Sequence, residues 1–344
     1  MKQHEREYFV SRIRSGYYTV NVNGFDLKVY PPTIEDELQA NAKYIEVYDE
    51  CVDEGLMLEE DMVNVIIKMG MWTADKEKKI QGLPKDIERL NVDLYNNRFN
   101  RELREKMRSV MRAGKEQLSK LALEKMTFRE NTCEGQAILA KSLDLIGSCT
   151  YLGNELFNFN GVDMKTVWYS YCNMFLEESA IRDLANGEPW KSLWVLSKNN
   201  LYKLFTDNGR ELTTDQRNII VWSRTYDNIS ESHECPPDDI IKDDEMLDGW
   251  FIVQRQKREK ERMEAEIDQN PKLQNADEVF VMAKTKDDVE RVSKLNDPHT
   301  AQVKKDRLRV IQEKGSAKQS DFLDEKLKLR QQYNEQFKGK FGNG

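Results

Sequence analysis

Between Tyr17 and Tyr30 the chain alternates apolar and polar residues on both sides of one Asn-Gly pair, reading YYTVNV-NG-FDLKVY. Asn-Gly is the favoured pair for a two-residue type I′ turn, because both positions need φ > 0. Such a turn sets the register. It places Val22 opposite Phe25, Val20 opposite Leu27 and Tyr18 opposite Val29 on one apolar face. Asn21 then faces Asp26, and Thr19 faces Lys28, on a polar one. A lone hairpin is marginal in water, so the apolar face needs a cover. That cover is a helix of the same chain or a partner subunit.

After Pro31-Pro32 the pattern switches to helical spacing. Thr33 is a good N-cap, and Glu35, Asp36 and Glu37 suit the positive end of a helix dipole. Leu38, Ala42, Ile45 and Val52, with Tyr44 and Tyr48, make the apolar stripe, and Gly55 stops the helix. A second helix is predicted from Glu59 to Met69, ending at Gly70. A third opens at Trp72-Thr73, with Thr73 as its cap. Pro84 begins a long charged helical stretch. Within it, Arg101 to Lys125 carries a narrow stripe of Leu103, Met107, Val110, Met111, Leu118 and Leu121, which suits a bundle arm.

Residues 127–185 have the sparsest charge. Ala137 to Leu152 reads as an apolar helix, and Val167 to Leu176 as further helix, which makes this the expected main core. It continues through predicted helices Ser192–Phe205 and Thr214–Asp227, the latter capped by Thr213 or Thr214. From about Arg255 the chain is charged almost throughout, with sparse apolar spacing at Val289, Val292, Leu295, Leu323, Leu327 and Leu329. That stretch lacks the apolar content for its own core. The expected fold is mainly α: a helical bundle with a small N-terminal β-hairpin and an extended charged helical C-terminal arm. The expected divisions are 1–32 (hairpin segment), 33–126 (charged helices), 127–254 (Trp-rich helical core) and 255–344 (charged, helical or partly disordered arm).

Composition narrows the function. Of 344 residues, 39% are hydrophobic and 33% charged, with net charge −8. A general nucleic-acid binder carries an uncompensated basic face, so that class is disfavoured. The cysteines number 5, at widely spaced positions 51, 133, 149, 172 and 235, with no C-x-x-C pair. Reduced, structural thiols are the expectation. No secretory h-region and no run near the roughly 18 apolar residues of a spanning helix is evident. A cytoplasmic protein without membrane contact is expected.

Three stretches could carry chemistry. Asp238, Asp239, Asp243, Asp244, Glu245 and Asp248 could hold a divalent cation, though the spacing is not that of an EF-hand. The alternative reading is a helix start near Glu245, capped by Asp243 or Asp244. His233 and Cys235 sit close in sequence, but a nucleophilic pair needs spatial adjacency and an orienting third group. The basic run Arg255–Arg262 could touch nucleic acid, but interleaved Glu259 and Glu261 suit a solvated helix. No P-loop, Rossmann fingerprint, G-x-S-x-G or H-E-x-x-H occurs. No catalytic residue, metal ligand or cofactor is therefore nominated. Partner docking is the remaining expectation, with Val20, Val22, Phe25 and Leu27 of the hairpin and Trp250 and Phe251 as anchors. The alternative for the last two is core packing against Trp194 and Trp222.

Several segments resemble proteins encoded among the virion and tail genes of large tailed bacteriophages. They are Glu188-Pro-Trp-Lys-Ser-Leu-Trp, Leu212-Thr-Thr-Asp-Gln-Arg, Cys235-Pro-Pro-Asp, Asp243-Asp-Glu-Met-Leu-Asp-Gly-Trp, Asp277-Glu-Val-Phe-Val-Met-Ala and Asn334-Glu-Gln-Phe. The hairpin followed by helices is similar in style to tail-assembly and baseplate-hub assembly proteins. The resemblance implies a structural or assembly role in the host cytoplasm or the virion. It also implies phage structural or assembly proteins as partners, and leaves an oligomer open. It carries no catalytic residue.

Overall fold

The turn at Asn23-Gly24 takes φ of 52° and 83°, the left-handed values that a type I′ turn demands. It joins β1 (Tyr18–Val22) to β2 (Phe25–Val29) in the register Val22↔Phe25, Val20↔Leu27 and Tyr18↔Val29 expected from the alternation. On the polar face the Asn21 amide donates to Asp26 at 2.6 Å. The chain is described here by a computed structural model covering residues 1–268, apart from Asn200 and Asn208. The apolar positions expected beyond 268, and the two resemblance segments there, lie outside the described residues.

The hairpin does not stand alone. β3 (Thr150–Leu152) adds to β2, and β4 (Glu155–Leu156) to β3, giving an antiparallel sheet in the order β1-β2-β3-β4. This corrects the helix expected through Leu152. α6 (Cys133–Cys149) ends earlier, and Thr150 turns to extended backbone. Gly153-Asn154 forms a second two-residue turn with Gly153 at φ 67°, a hairpin pair of the Gly-Asn kind.

Before the hairpin lies α1 (Gln3–Ser15), for which its few apolar positions gave no warning. The Lys2 N–H donates to Glu5 at 2.7 Å, and Gly16 closes the other end at φ 76°. α2 (Ile34–Asp53) starts as expected, with the Asp36 N–H donating to Thr33 Oγ1 at 3.1 Å and the Thr33 N–H donating back at 2.8 Å. It lies along α6 in the opposite direction, since Asp36 neighbours Cys149 and Lys141 donates to Asn41 at 2.6 Å. The face of α2 that does this contains Ala40 and Cys51, both buried. The expected stripe of Leu38, Ile45 and Val52 points outward instead: these side chains are 64, 59 and 46% exposed. α2 therefore has two apolar faces, and the one with small Ala40 allows the close helix approach.

α3 (Glu59–Lys68) is followed by α4 (Ala74–Asn96), capped by Thr73. Pro84 lies inside α4 and does not begin a new helix. Proline removes one backbone donor, and packing of Ile87, Leu90 and Leu94 on Met107 and Met111 holds the helix through it. Those methionines belong to α5 (Arg101–Lys125), whose bounds match the expectation. A 3₁₀ turn, Arg129–Asn131, leads into α6. After the sheet come α7 (Met164–Cys172), α8 (Glu178–Ala185), α9 (Trp190–Lys198), α10 (Thr214–Glu231), α11 (Asp238–Ile241) and α12 (Asp244–Asp268). α9 ends well short of Phe205. The protein is mainly α.

The chain divides into Met1–Val253 and a unit from Gln254 onward. In the first, buried apolar residues gather in separate clusters that join distant segments. Val20, Val22, Leu27 and Val29 pack with Ile146, Phe157, Val162 and Val167. Val10 and Ile13 of α1 pack with Ile181, Leu184, Trp190 and Ile219. Leu94 and Met111 pack with Ile229, Ile240, Met246, Leu247 and Trp250. Ile66, Trp72 and Leu121 form a smaller group. In the second unit, the described side chains of α12 from Arg255 to Arg262 are exposed.

Candidate functional site

The acidic stretch 238–248 builds the start of α12. The Met246 N–H donates to Asp243 Oδ1 at 3.2 Å, so Asp243 is the cap, one of the two residues expected for it. The other carboxylates meet arginines. Arg108 of α5 donates to Glu245 at 3.1 Å and also pairs with Asp243. Lys115 lies 3.6 Å from Glu245. Arg182 of α8 reaches Asp248 at 2.8 Å, Glu178 at 2.7 Å and the Asp244 backbone carbonyl at 3.3 Å. Only Asp238 and Asp239, in the first turn of the four-residue α11, face solvent. Among the described residues no group of three or more His, Cys, Asp or Glu side chains is placed to hold a metal ion. The positions a cation would take beside Asp243, Asp244, Glu245 and Asp248 are held by guanidinium groups.

Arg182 is the centre of this arrangement. Its side chain is 8% exposed, and its guanidinium carbon lies 3.9 Å from the centre of the Trp222 ring, a cation–π geometry. Burial works against its charge, but the hydrogen bonds and charges of Glu178 and Asp248 outweigh that and raise its pKa. Burial raises Asp248 and Asp244 above the usual carboxylate range, even though Arg182 pulls both the other way.

A second buried charge pair anchors the start of α10. Asp215 accepts from Arg12 at 3.0 Å and from the Leu176 N–H at 3.2 Å, and its own N–H donates to Tyr18 Oη at 3.3 Å. Arg12 also donates to the Met174 carbonyl at 2.9 Å. Burial raises the Asp215 pKa, and burial with the nearby Asp215 charge raises that of Tyr18. This network ties α1, β1 and the α7–α8 turn to one helix N-terminus. The tryptophans are similarly committed. Trp190 donates to Ser223 at 2.8 Å and Trp194 to Asp227 at 2.8 Å.

Four of the thiols are disfavoured as nucleophiles. Burial raises the pKa of Cys51, Cys133, Cys149 and Cys172, and the thiolate is the reactive form. His233 and Cys235 are both exposed, in the turn before Pro236, and the Cys235 thiol contacts the Pro236 carbonyl at 3.5 Å.

The expected docking anchors are mostly interior. Val20, Val22 and Leu27 are buried at 0, 4 and 0% exposure beneath α6 and α7 residues of the same chain. A partner has no access to them, because the apolar face is already covered. Phe25, at 41% exposed, stays at the rim beside Phe157. Trp250 is buried at 4% against Leu94, Met111 and Leu247, and not against Trp194 or Trp222. Phe251 is half-buried beside it. The outward stripe of α2 is legible in the sequence as an apolar stripe at helical spacing, but spacing alone does not tell that Leu38, Ile45 and Val52 face solvent. No helix among the described residues is long and apolar enough to cross a membrane. Comparisons with protein-family models, with curated proteins and with solved structures find no match to this chain.

Proposed function

We propose that this chain is a non-enzymatic phage structural or assembly protein that docks partner subunits during tail or virion morphogenesis. It works in the host cytoplasm while particles are built. One observation supports docking most strongly: the outer face of α2 presents Ile34, Leu38, Ile45 and Val52 at 46–66% exposure in one line. Exposed apolar side chains that share one helix face form a surface on which a partner can dock. The interior supports the same reading, because the charged groups near α8, α10 and α12 pair with one another and so brace the fold. The phage context rests on the resemblance of the segments at 188–194, 212–217, 235–238 and 243–250.

The experiment is reconstitution. The tagged full-length chain is mixed with purified virion and tail proteins from the genome that encodes it, and complexes are read by size-exclusion chromatography with light scattering. A defined complex with at least one of them is expected. A chain that elutes unchanged with every one of them contradicts the proposal.

A further inference from the structure

The outer stripe of α2 has a specific chemical surround. Leu38, Ile45 and Val52 recur at seven-residue spacing, with Ile34 one turn before Leu38. That spacing keeps them on one side of the helix, as in a coiled-coil seam. Glu35, Glu46, Asp49 and Asp53 run beside them and are exposed. The one basic residue of α2, Lys43, is paired with Glu46 at 2.8 Å. The opposite face is taken by α6, so among the described residues the stripe is a second, exposed seam with an acidic border.

We propose that this face docks a basic amphipathic helix of a partner protein. The apolar line would take heptad-spaced Leu or Ile of that helix, as in other helix-on-groove recognition. The acidic border would pair with Lys or Arg beside its seam. Charge decides between occupants. A second copy of α2 would set Glu and Asp against Glu and Asp, and like charges across an interface suppress pairing. An anionic lipid surface is repelled by the same border. A basic helix satisfies both the seam and its edge. This inference deepens the docking reading and rests on it.

The test uses the full-length chain and two fluorescent peptides, each about three heptads long. Both carry the same Leu/Ile seam; one has Lys and Arg beside it, the other Glu. The basic peptide is expected to bind, more weakly as salt rises, and the acidic one to bind at least about tenfold more weakly. Leu38→Asn with Ile45→Asn is expected to weaken the basic peptide by about tenfold or more, while circular dichroism and melting temperature stay unchanged. The proposal is overturned by no binding of the basic peptide, by equal binding of both, or by a double variant that binds as well as the parent. A dimer seen by sedimentation and lost in the double variant also overturns it, by assigning the face to a second copy. If the peptide fails while complexes with virion proteins still form, this surface falls and the docking reading stands. If the peptide binds and no such complex forms, the phage partners fall and the α2 face stands as a docking surface for another basic helix.

Discussion

Arg182 gathers Glu178, Asp248 and the Asp244 carbonyl around one guanidinium lying on the Trp222 ring. Removing one partner of a buried ion pair leaves uncompensated charge, at a cost of about 3–5 kcal/mol. The carboxylates here are about a third exposed or more, so solvent screening reduces that cost. Arg182→Met is expected to destabilise the chain by about 2–3 kcal/mol at neutral pH, read by urea unfolding. The pH dependence has a definite sign. Burial raises Asp244 and Asp248 in the folded state, and loss of Arg182 raises them further. A raised folded pKa favours the protonated group, so its stabilising contribution is fully present below the unfolded pKa and is lost as pH rises through the folded one. The penalty of Arg182→Met is therefore expected to shrink on acidification below about pH 5. An equal or larger penalty at low pH would show that Arg182 acts by packing alone. Sequence displayed the carboxylates and a capping role for Asp243 or Asp244, and the structure gives it to Asp243. It did not display Arg108 and Arg182 as their partners, because those lie on α5 and α8, and spacing reports only neighbours along one helix.

At the scale of elements, the hairpin and α5 were legible and α1, β3 and β4 were not. The hairpin was legible because turn chemistry and alternation agree at Asn23-Gly24. β3 follows an apolar helix without a break in hydrophobicity, and only Gly153-Asn154 marks it. α2 shows the limit of periodicity most clearly. Its stripe was visible, but which of two apolar faces meets α6 depends on Ala40, a small residue that spacing does not weigh. This yields a paired test by thermal or urea unfolding. Leu27→Ala, in the sheet core, is expected to cost about 2–5 kcal/mol. Ile45→Gln, on the outer face of α2, is expected to change stability by no more than about 0.5 kcal/mol. Comparable losses would place the α2 stripe in the core. A close helix contact gives a further expectation. A Cβ built on Gly249 would lie 2.1 Å from the Asn91 backbone oxygen, where α12 crosses α4. Gly249→Ala is expected to destabilise by about 1–3 kcal/mol, despite alanine's better helix propensity; a neutral or stabilising result would mean the helices separate there easily.

For the whole molecule, the charged residues that looked like chemistry brace the packing within Met1–Val253. Arg12 with Asp215 joins α1 to α10, Arg182 joins α8 to α12, and Arg108 joins α5 to α12. The outer side of α2 presents an apolar line beside exposed acidic residues, and the proposed docking rests on that surface. If the proposed function holds, particle construction requires this docking. The most direct measurement is to delete the chain from the encoding genome and follow particle assembly by electron microscopy and quantitative mass spectrometry, with complementation by the parent chain or by Leu38→Asn with Ile45→Asn. Stalled assembly with accumulation of an intermediate is expected, with rescue by the parent and no rescue by the double variant even though it folds. Particles built normally in the chain's absence would contradict it.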